Sequence, residues 1–468
     1  MKNISRNIRV KNAIFVAGCL LLLMQSCYKE FPYIPDIDES ETALFVGHQQ
    51  VLVDNEKQTA LVPVSDFGSF SAIVSFSSQN TVSINHSKIK SGELYFFNDI
   101  DAASVVNVEI TKPDSSKISY NLGFTLLPVI HIEHKYGEII EGEDMIAKLT
   151  MVSPGEYETF TEFCVMSTRG LTSLIKPKKS FGLQFVHDTY TNVKKNVALL
   201  GMNNDDDWIL DAAYTDISMM RNRVSFDVWG DMQTDGIKQG ISLLYAAPEG
   251  AFTEVFINNS YEGIYCLNER LDSKNIGFNK LPSTFVPYLY KSENWSPATT
   301  YSGLPDTTNM LKNWAGWEQK LPDPDQLSIW KPLYDFVAFV YQAPESNFVD
   351  SIASYVNIEQ AIDFYLFINL IQGLDNAGKN LFLAKKDDGL PFFLIPWDMD
   401  ATWGRDWEGE TLNCDEISFN LYKRIIAANP DNFNQKMAAR WFQLRKSVFQ
   451  TSVIMQHFRN YSKQLIES

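Results

Sequence analysis

The sequence predicts a mixed α+β chain in which a small all-β sandwich precedes a larger body of strands and helices. Two observations predict it. Between Thr42 and Leu127 the chain is rich in Val, Ile, Thr, Ser and Phe in alternating runs, such as Ala72 to Phe76 and Val105 to Ile110. Clusters of Asp, Asn, Gly and Ser break these runs about every ten residues, the pattern of short antiparallel strands in an immunoglobulin-like sandwich. Beyond Pro128 strand-like segments alternate with amphipathic helical ones, which indicates an α+β body over residues 128–468. With 45% hydrophobic and 13% aromatic residues in a chain of 468, there is material for more than one core.

The chain opens on an export signal over residues 1–27. Lys2, Arg6, Arg9 and Lys11 precede an uncharged apolar run, Ala13 to Met24, which is short for a membrane span. The run ends in Met24-Gln25-Ser26-Cys27, similar to the bacterial lipoprotein cleavage box, so Cys27 is the expected lipidation site and acyl chains the expected anchor. The expected location is the bacterial envelope, at the outer membrane or cell surface. The acidic, proline-punctuated segment 28–41 reads as a tether. No later stretch approaches the apolar length of a span, so the membrane is met through the lipid alone.

The formal charge is −17; removing the four signal cations leaves about −21. A balance so acidic lacks the basic footprint that nucleic acid requires. Cys164, Cys266 and Cys414 remain after the signal and lipid cysteines, with no metal-ligand spacing among them.

In the larger body, helices are expected over Asp216 to Met232 and Ile358 to Gly373, and strands over Glu254 to Asn258, Gly263 to Asn268 and Phe392 to Pro396. The tail from Leu421 to Ile466 reads as helical again. The densest chemistry lies where the apolar helix ends in Gly373-Leu374-Asp375-Asn376-Ala377-Gly378-Lys379-Asn380. A strand, Leu381 to Ala384, follows; a turn at Lys385 to Gly389 reverses the chain into a second strand that ends in Pro396-Trp397-Asp398-Met399-Asp400. Such a hairpin brings its two outer ends together, so Asp375, Asn376 and Asn380 should meet Asp398 and Asp400. Hard oxygen ligands converging there suit Mg2+ or Mn2+. The alternative for the aspartates is turn capping. Asp375 and Asn380 also stand in the Asp-x-x-x-x-Asn spacing that in protein kinases supplies a catalytic aspartate and a metal-binding asparagine.

Two basic segments complete the inventory. Ser167 to Ser173 with Lys176 to Phe185, which includes Lys178 and Lys179, forms a Gly- and Ser-bearing basic turn that would welcome a phosphate. Arg221, in Met220-Arg221-Asn222-Arg223, could meet a phosphate, a site carboxylate or a plain salt-bridge partner.

At these residues the chain resembles the CotH kinase family, named for a spore-coat protein. The similar stretches are Arg169 to Ser173 with Lys178 to Phe181, Met220 to Arg223, Val255 to Tyr265, Asn268 to Asp272, Tyr288 to Lys291, Asp375 to Asn380 and Pro396 to Gly404. They occur in the family's order over roughly Pro128 to the C-terminus. Asn259-Ser260 replaces the family's usual Asn-Gly turn. The resemblance implies an atypical protein-kinase-like catalytic domain that binds ATP with Mg2+ or Mn2+ and phosphorylates Ser or Thr of an envelope or secreted protein. By the same resemblance Asp375 is the catalytic residue, and Asn380, Asp398 and Asp400 are the metal contacts. Lys178 or Lys179, Arg221 and Lys291 are the expected nucleotide contacts. Two rival readings stand beside it: a non-catalytic surface module binding a glycan or partner protein through aromatic loops at Trp295, Trp314 and Trp317, and a metal-dependent phosphate-ester hydrolase.

Overall fold

The structure is a computed structural model, and it describes residues 43–136, 139–155, 159–170, 172–191, 193–238, 246–307 and 311–466. The export signal, Cys27 and the tether 28–41 lie outside the described residues. Among those described, no helix is long and apolar enough to cross a membrane.

The N-terminal region is β-rich. A four-stranded sheet runs in the order Gln49–Gln50, Leu44–Val46, Gly68–Phe76 and Glu93–Ile100. A six-stranded sheet runs Leu52–Asp54, Thr59–Pro63, Lys117–Thr125, Val106–Thr111, Thr81–Ile84 and Ser87–Ile89. Val74 and Phe97 from the first sheet pack with Val82, Val108, Ile110 and Phe124 from the second in one core. Strict alternation along Val106–Thr111, with Val106, Val108 and Ile110 buried, shows why this sequence makes a half-buried strand. One pairing departs from the antiparallel expectation: Thr59–Pro63 and Lys117–Thr125 run parallel. Parallel neighbours need a long crossover, which the strands between them provide.

A closed barrel follows, in the order Val129–Glu133, Met145–Val152, Phe160–Arg169, Ser180–Val186, Asp207–Asp211, Ser260–Glu269 and Gly250–Ile257. Its first and last strands close it in parallel, Val129 opposite Glu254. Closure removes the exposed edges that an open sheet of this length would carry. The alternation of strands and helices expected beyond Pro128 is uneven here: among the described residues, Arg221–Lys238 is the only α-helix inserted in this stretch. That helix starts five residues later than its apolar spacing predicts. Asp216 explains the delay, because its carboxylate accepts from Ser218 N at 2.9 Å and Arg221 N at 2.8 Å and so caps the turn instead of entering the helix.

The sandwich is clasped to the barrel at a buried carboxylate. Asp54, 1% exposed, accepts from Lys57 N at 2.8 Å and from Tyr261 N at 3.0 Å, and Lys57 Nζ returns to the Tyr261 carbonyl at 2.6 Å.

The remaining lobe sets an antiparallel sheet against helices. The sheet order is Asn313–Trp314, Trp317–Leu321, Tyr288–Ser292, Leu381–Lys385 and Phe393–Pro396. Helices Lys331–Gln342, Glu345–Tyr355, Ile358–Ile371, Asn420–Ala428, Phe433–Leu444 and Thr451–Ile466 complete it. Ile358–Ile371 is buried nearly all round, and its polar residues are therefore partnered: Gln360 accepts from Leu394 N at 2.9 Å, and Asp363 takes a bidentate pair from Arg440. Gln372 ends the helix in the left-handed region, and Gly373 N bonds back to the Ile368 carbonyl, which turns the chain toward Asp375.

Candidate active site

The late hairpin has the register its sequence implies: Leu381 faces Pro396 and Phe382 faces Ile395, and Trp397 N extends the ladder to the Asn380 carbonyl at 3.0 Å. Its open ends are therefore neighbours. Asn376 ties them together by donating to the carbonyls of Asn380, at 2.7 Å, and Trp397, at 2.8 Å. Asn380 does the same with its side chain, whose Nδ2 donates to Asp375 Oδ2 at 2.9 Å and to the Asp398 carbonyl at 3.4 Å. Asn380 and Asp398 both hold left-handed backbones, with φ of 54° and 53°. Outside glycine that region is best tolerated by Asn and Asp, and side chains held there cluster at functional sites.

Asp375, Asn380, Trp397 and Asp398 line a cleft of about 410 Å³ between the barrel and the helical lobe. Asp375, Asn380, Asp398 and Asp400 stand on one wall, with Lys178, Arg169 and Asp211 contributed by the barrel and Lys291 by the strand Tyr288–Ser292. Carboxylate charge is crowded here. Burial raises the Asp400 carboxyl well above its ordinary value, and the Asp398 and Asp211 charges add to the rise. Asp398 is raised as well, by burial first and then by Asp211, while Lys291 and Arg169 pull it down. Because the Asp398 side chain is open to the water of the cleft, the cost of burial is partly relieved, and the neighbouring carboxylates are the firmer cause. Lys178 is shifted down by burial, against the pull of Asp211; its ammonium lies 4.1 Å from the centre of the Tyr265 ring. Lys291 pairs with Glu293 at 3.0 Å.

Of the residues singled out from sequence, the cleft gathers Asp375, Asn380, Asp398, Asp400, Lys178 and Lys291. It does not gather Lys179 or Arg221. Lys179 Nζ donates to the Leu174 carbonyl, and Arg221 pairs with Asp216 at 2.8 Å, the plain salt bridge that the sequence left open. The helix register turns Asn222 to the cleft instead, where its Oδ1 accepts from Met399 N at 3.0 Å and its Nδ2 donates to Asp211 at 3.4 Å. Sequence reasoning also missed Asp211 and Arg169. Arg169 heads one of the similar blocks and could have been chosen; Asp211 ends a barrel strand with no local motif to mark it. Two of the three tryptophans of the aromatic-loop reading are core residues, Trp314 at 3% and Trp317 at 1% exposure.

Whether the site suits a divalent cation turns on its donors. Among the described residues, no three His, Cys, Asp or Glu side chains are grouped to hold a metal by themselves. Mg2+ seldom asks for such a cage: one or two carboxylates with phosphate oxygens and water suffice. Asp398 and Asp400 would supply the carboxylates, and Asn380, its Nδ2 already engaged, keeps an acceptor oxygen. The repulsion between these two carboxylates is of the kind that a bound cation would relieve.

Two lobes thus meet at a cleft in which acids face lysines. The chain belongs to the CotH kinase protein family, whose model matches residues 166–468. That match begins inside the strand Phe160–Arg169, later than the Pro128 start expected from sequence. Over 219 residues the chain is 25% identical to the inner spore coat protein H of Bacillus subtilis (strain 168), an alignment covering 47% of this chain and 56% of that protein. The chain thus spans little more than half the length of this relative. Family membership points to a kinase-like phosphotransferase role.

Proposed function

We propose that this chain transfers a phosphoryl group from ATP, with Mg2+ or Mn2+, to a Ser or Thr hydroxyl of an envelope or secreted protein. The observation that carries the proposal is Asn380, whose side chain joins the Asp375 carboxylate to the main-chain carbonyl of Asp398 and so keeps the two aspartates neighbours in one cleft. Asp375 would orient the acceptor hydroxyl and take its proton. Asp398, with Asn380 and Asp400, would hold the cation, which when bound neutralises phosphate charge. Lys178, Lys291 and Arg169 would bind and orient phosphate oxygens. A second cavity of about 360 Å³ adjoins the cleft and shares Arg169, Ile209, Lys291 and Trp397 with it. Its lining mixes Arg270, Lys320 and Asp207 with Leu271 and Phe382, and as the neighbour of the cleft it is the place we assign to the rest of the nucleotide.

The protein would act outside the cytoplasm, held to the envelope by acyl chains on Cys27; a Cys27→Ser variant should then lose incorporation of labelled palmitate.

The deciding experiment incubates the form lacking residues 1–27 with labelled ATP and Mg2+ or Mn2+. Label on protein supports transfer, free phosphate alone supports a hydrolase, and absence of nucleotide binding leaves a binding module. Asp398→Ala should abolish metal-dependent nucleotide binding, and Asp375→Asn should keep binding and lose transfer. Normal transfer by both variants refutes the assignment.

A further inference from the structure

Asp375 is gripped on both oxygens. Asn380 Nδ2 donates to Oδ2 at 2.9 Å, and the indole N–H of Trp295 donates to Oδ1 at 2.8 Å. The first donor belongs to the same turn; the second comes from a loop that follows the strand Tyr288–Ser292. A carboxylate with one donor still swings about its terminal torsion, which is soft. Lys379 Nζ, 3.6 Å away, also acts on Oδ2, so Trp295 is what holds Oδ1 against that torsion.

The loop is braced to present that indole. Ser296 N donates to Thr299 Oγ1 at 2.9 Å, Thr299 Oγ1 donates to the Asn294 carbonyl at 3.1 Å, and Thr300 Oγ1 donates to the Ser296 carbonyl at 2.8 Å. The ring lies so close to Gly378 that a Cβ there would stand 2.4 Å from Cε3 and 2.5 Å from Cζ3. Gly378 has a φ of −163°, extended backbone open to any residue, so space and not conformation calls for glycine. Trp295 is nonetheless 47% exposed. Water could satisfy an indole so placed, so burial does not force its bond to Asp375; the loop and the glycine direct it there.

We infer that Trp295 is a positioning residue that fixes the Asp375 carboxylate for the acceptor hydroxyl, and that Gly378 is kept small to admit its ring. The inference rests on the proposed role of Asp375. Trp295→Phe keeps an aromatic ring and removes the donor, Trp295→His restores an N–H, and Gly378→Ala leaves residue 295 a tryptophan but pushes its ring aside. Both Trp295→Phe and Gly378→Ala should lower kcat about tenfold or more, as misplacement of a reacting group does, with nucleotide KM and Kd unchanged. Trp295→His should recover part of the loss, and Gly378→Ala should add little in a Trp295→Ala background. Unchanged kcat in Trp295→Phe overturns the inference, and so does a parallel loss of nucleotide binding, which would mark a merely structural role. A readout independent of catalysis separates this from the proposed function: the Trp295 indole N–H resonance, assigned by its loss in Trp295→Phe, should move in Asp375→Ala. If the wild-type chain transfers no phosphate, the functional reading fails; if the resonance does not move, the clamp fails.

Discussion

Replacing Arg440 by Met should destabilise the helical lobe by about 3–5 kcal/mol, the cost of leaving a buried charge without its partner. Arg440 donates from Nε to Asp363 Oδ1 at 2.7 Å and from Nη2 to Oδ2 at 2.9 Å, and the two side chains are only 8% and 1% exposed. Asp363 sits in the middle of Ile358–Ile371, between Ile362 and Phe364, both buried. Met fills much of the arginine's volume, so the loss reports the stranded carboxylate and not a cavity. Asp363→Leu combined with Arg440→Met should therefore recover most of the stability, since no charge is left to desolvate. Urea unfolding followed by tryptophan fluorescence is a suitable assay, because all 10 tryptophans lie from Trp208 onward and report nothing from the sandwich. The midpoint should fall with the slope unchanged. A loss under about 1 kcal/mol, or a double variant weaker than Arg440→Met, would refute the reasoning, since both outcomes deny that an uncompensated buried charge dominates. The same helix leads into the Asp375 turn, so the site inherits its stability from this pair.

Three further outcomes follow from the charged groups. In the metal-free chain the raised Asp400 carboxyl binds its proton more tightly folded than unfolded, so its contribution is favourable in acid and is lost as pH rises through the folded value. Asp400→Asn should raise Tm at neutral pH and flatten that slope; an unchanged profile would show that Asp400 carries no such penalty. His457 is shifted up, chiefly by its hydrogen bond with Asp231 at 3.0 Å and further by the Asp227 charge, and it pins the helix Thr451–Ile466 to Arg221–Lys238. Its contribution is complete below the unfolded value and disappears as pH rises through the higher folded value; in His457→Gln the stability between these limits should no longer depend on this group, as thermal melts across pH would show. Asp54→Ala removes the acceptor of Tyr261 N at the sandwich clasp and should cost about 1–3 kcal/mol, with proteolysis between sandwich and barrel accelerated. Resistance equal to wild type would mean that the clasp contributes nothing.

The hairpin around Asp375 and Asp398 was legible because its information is local. Two apolar runs, a polar turn between them and polar residues at both outer ends leave few pairings, and the pairing itself delivers Asn380 to Asp398. The helical character of the tail, the apolar helix Ile358–Ile371 and the short strands of the N-terminal region followed from side-chain periodicity in the same way. The barrel did not. Its closure depends on Val129–Glu133 meeting Gly250–Ile257 across more than a hundred residues, and periodicity says nothing about which distant strand becomes a neighbour.

The site divides along the same line. Sequence determined which acids stand at the ends of one hairpin, since chain connectivity alone confines them to a few ångströms. Tertiary packing decided the rest: that Asp211 and Arg169 join them from the barrel, that Asn222 and not Arg221 faces the cleft, and that Trp295 reaches Asp375 from a separate loop. Lys178 and Lys179 are indistinguishable as letters, and both precede the strand Ser180–Val186 in a turn whose path only the fold sets: Lys178 lines the cleft, while Lys179 turns back to the Leu174 carbonyl. Electrostatic neighbourhood is a property of folded space, and a sequence reveals it only where the chain is too short to lead anywhere else.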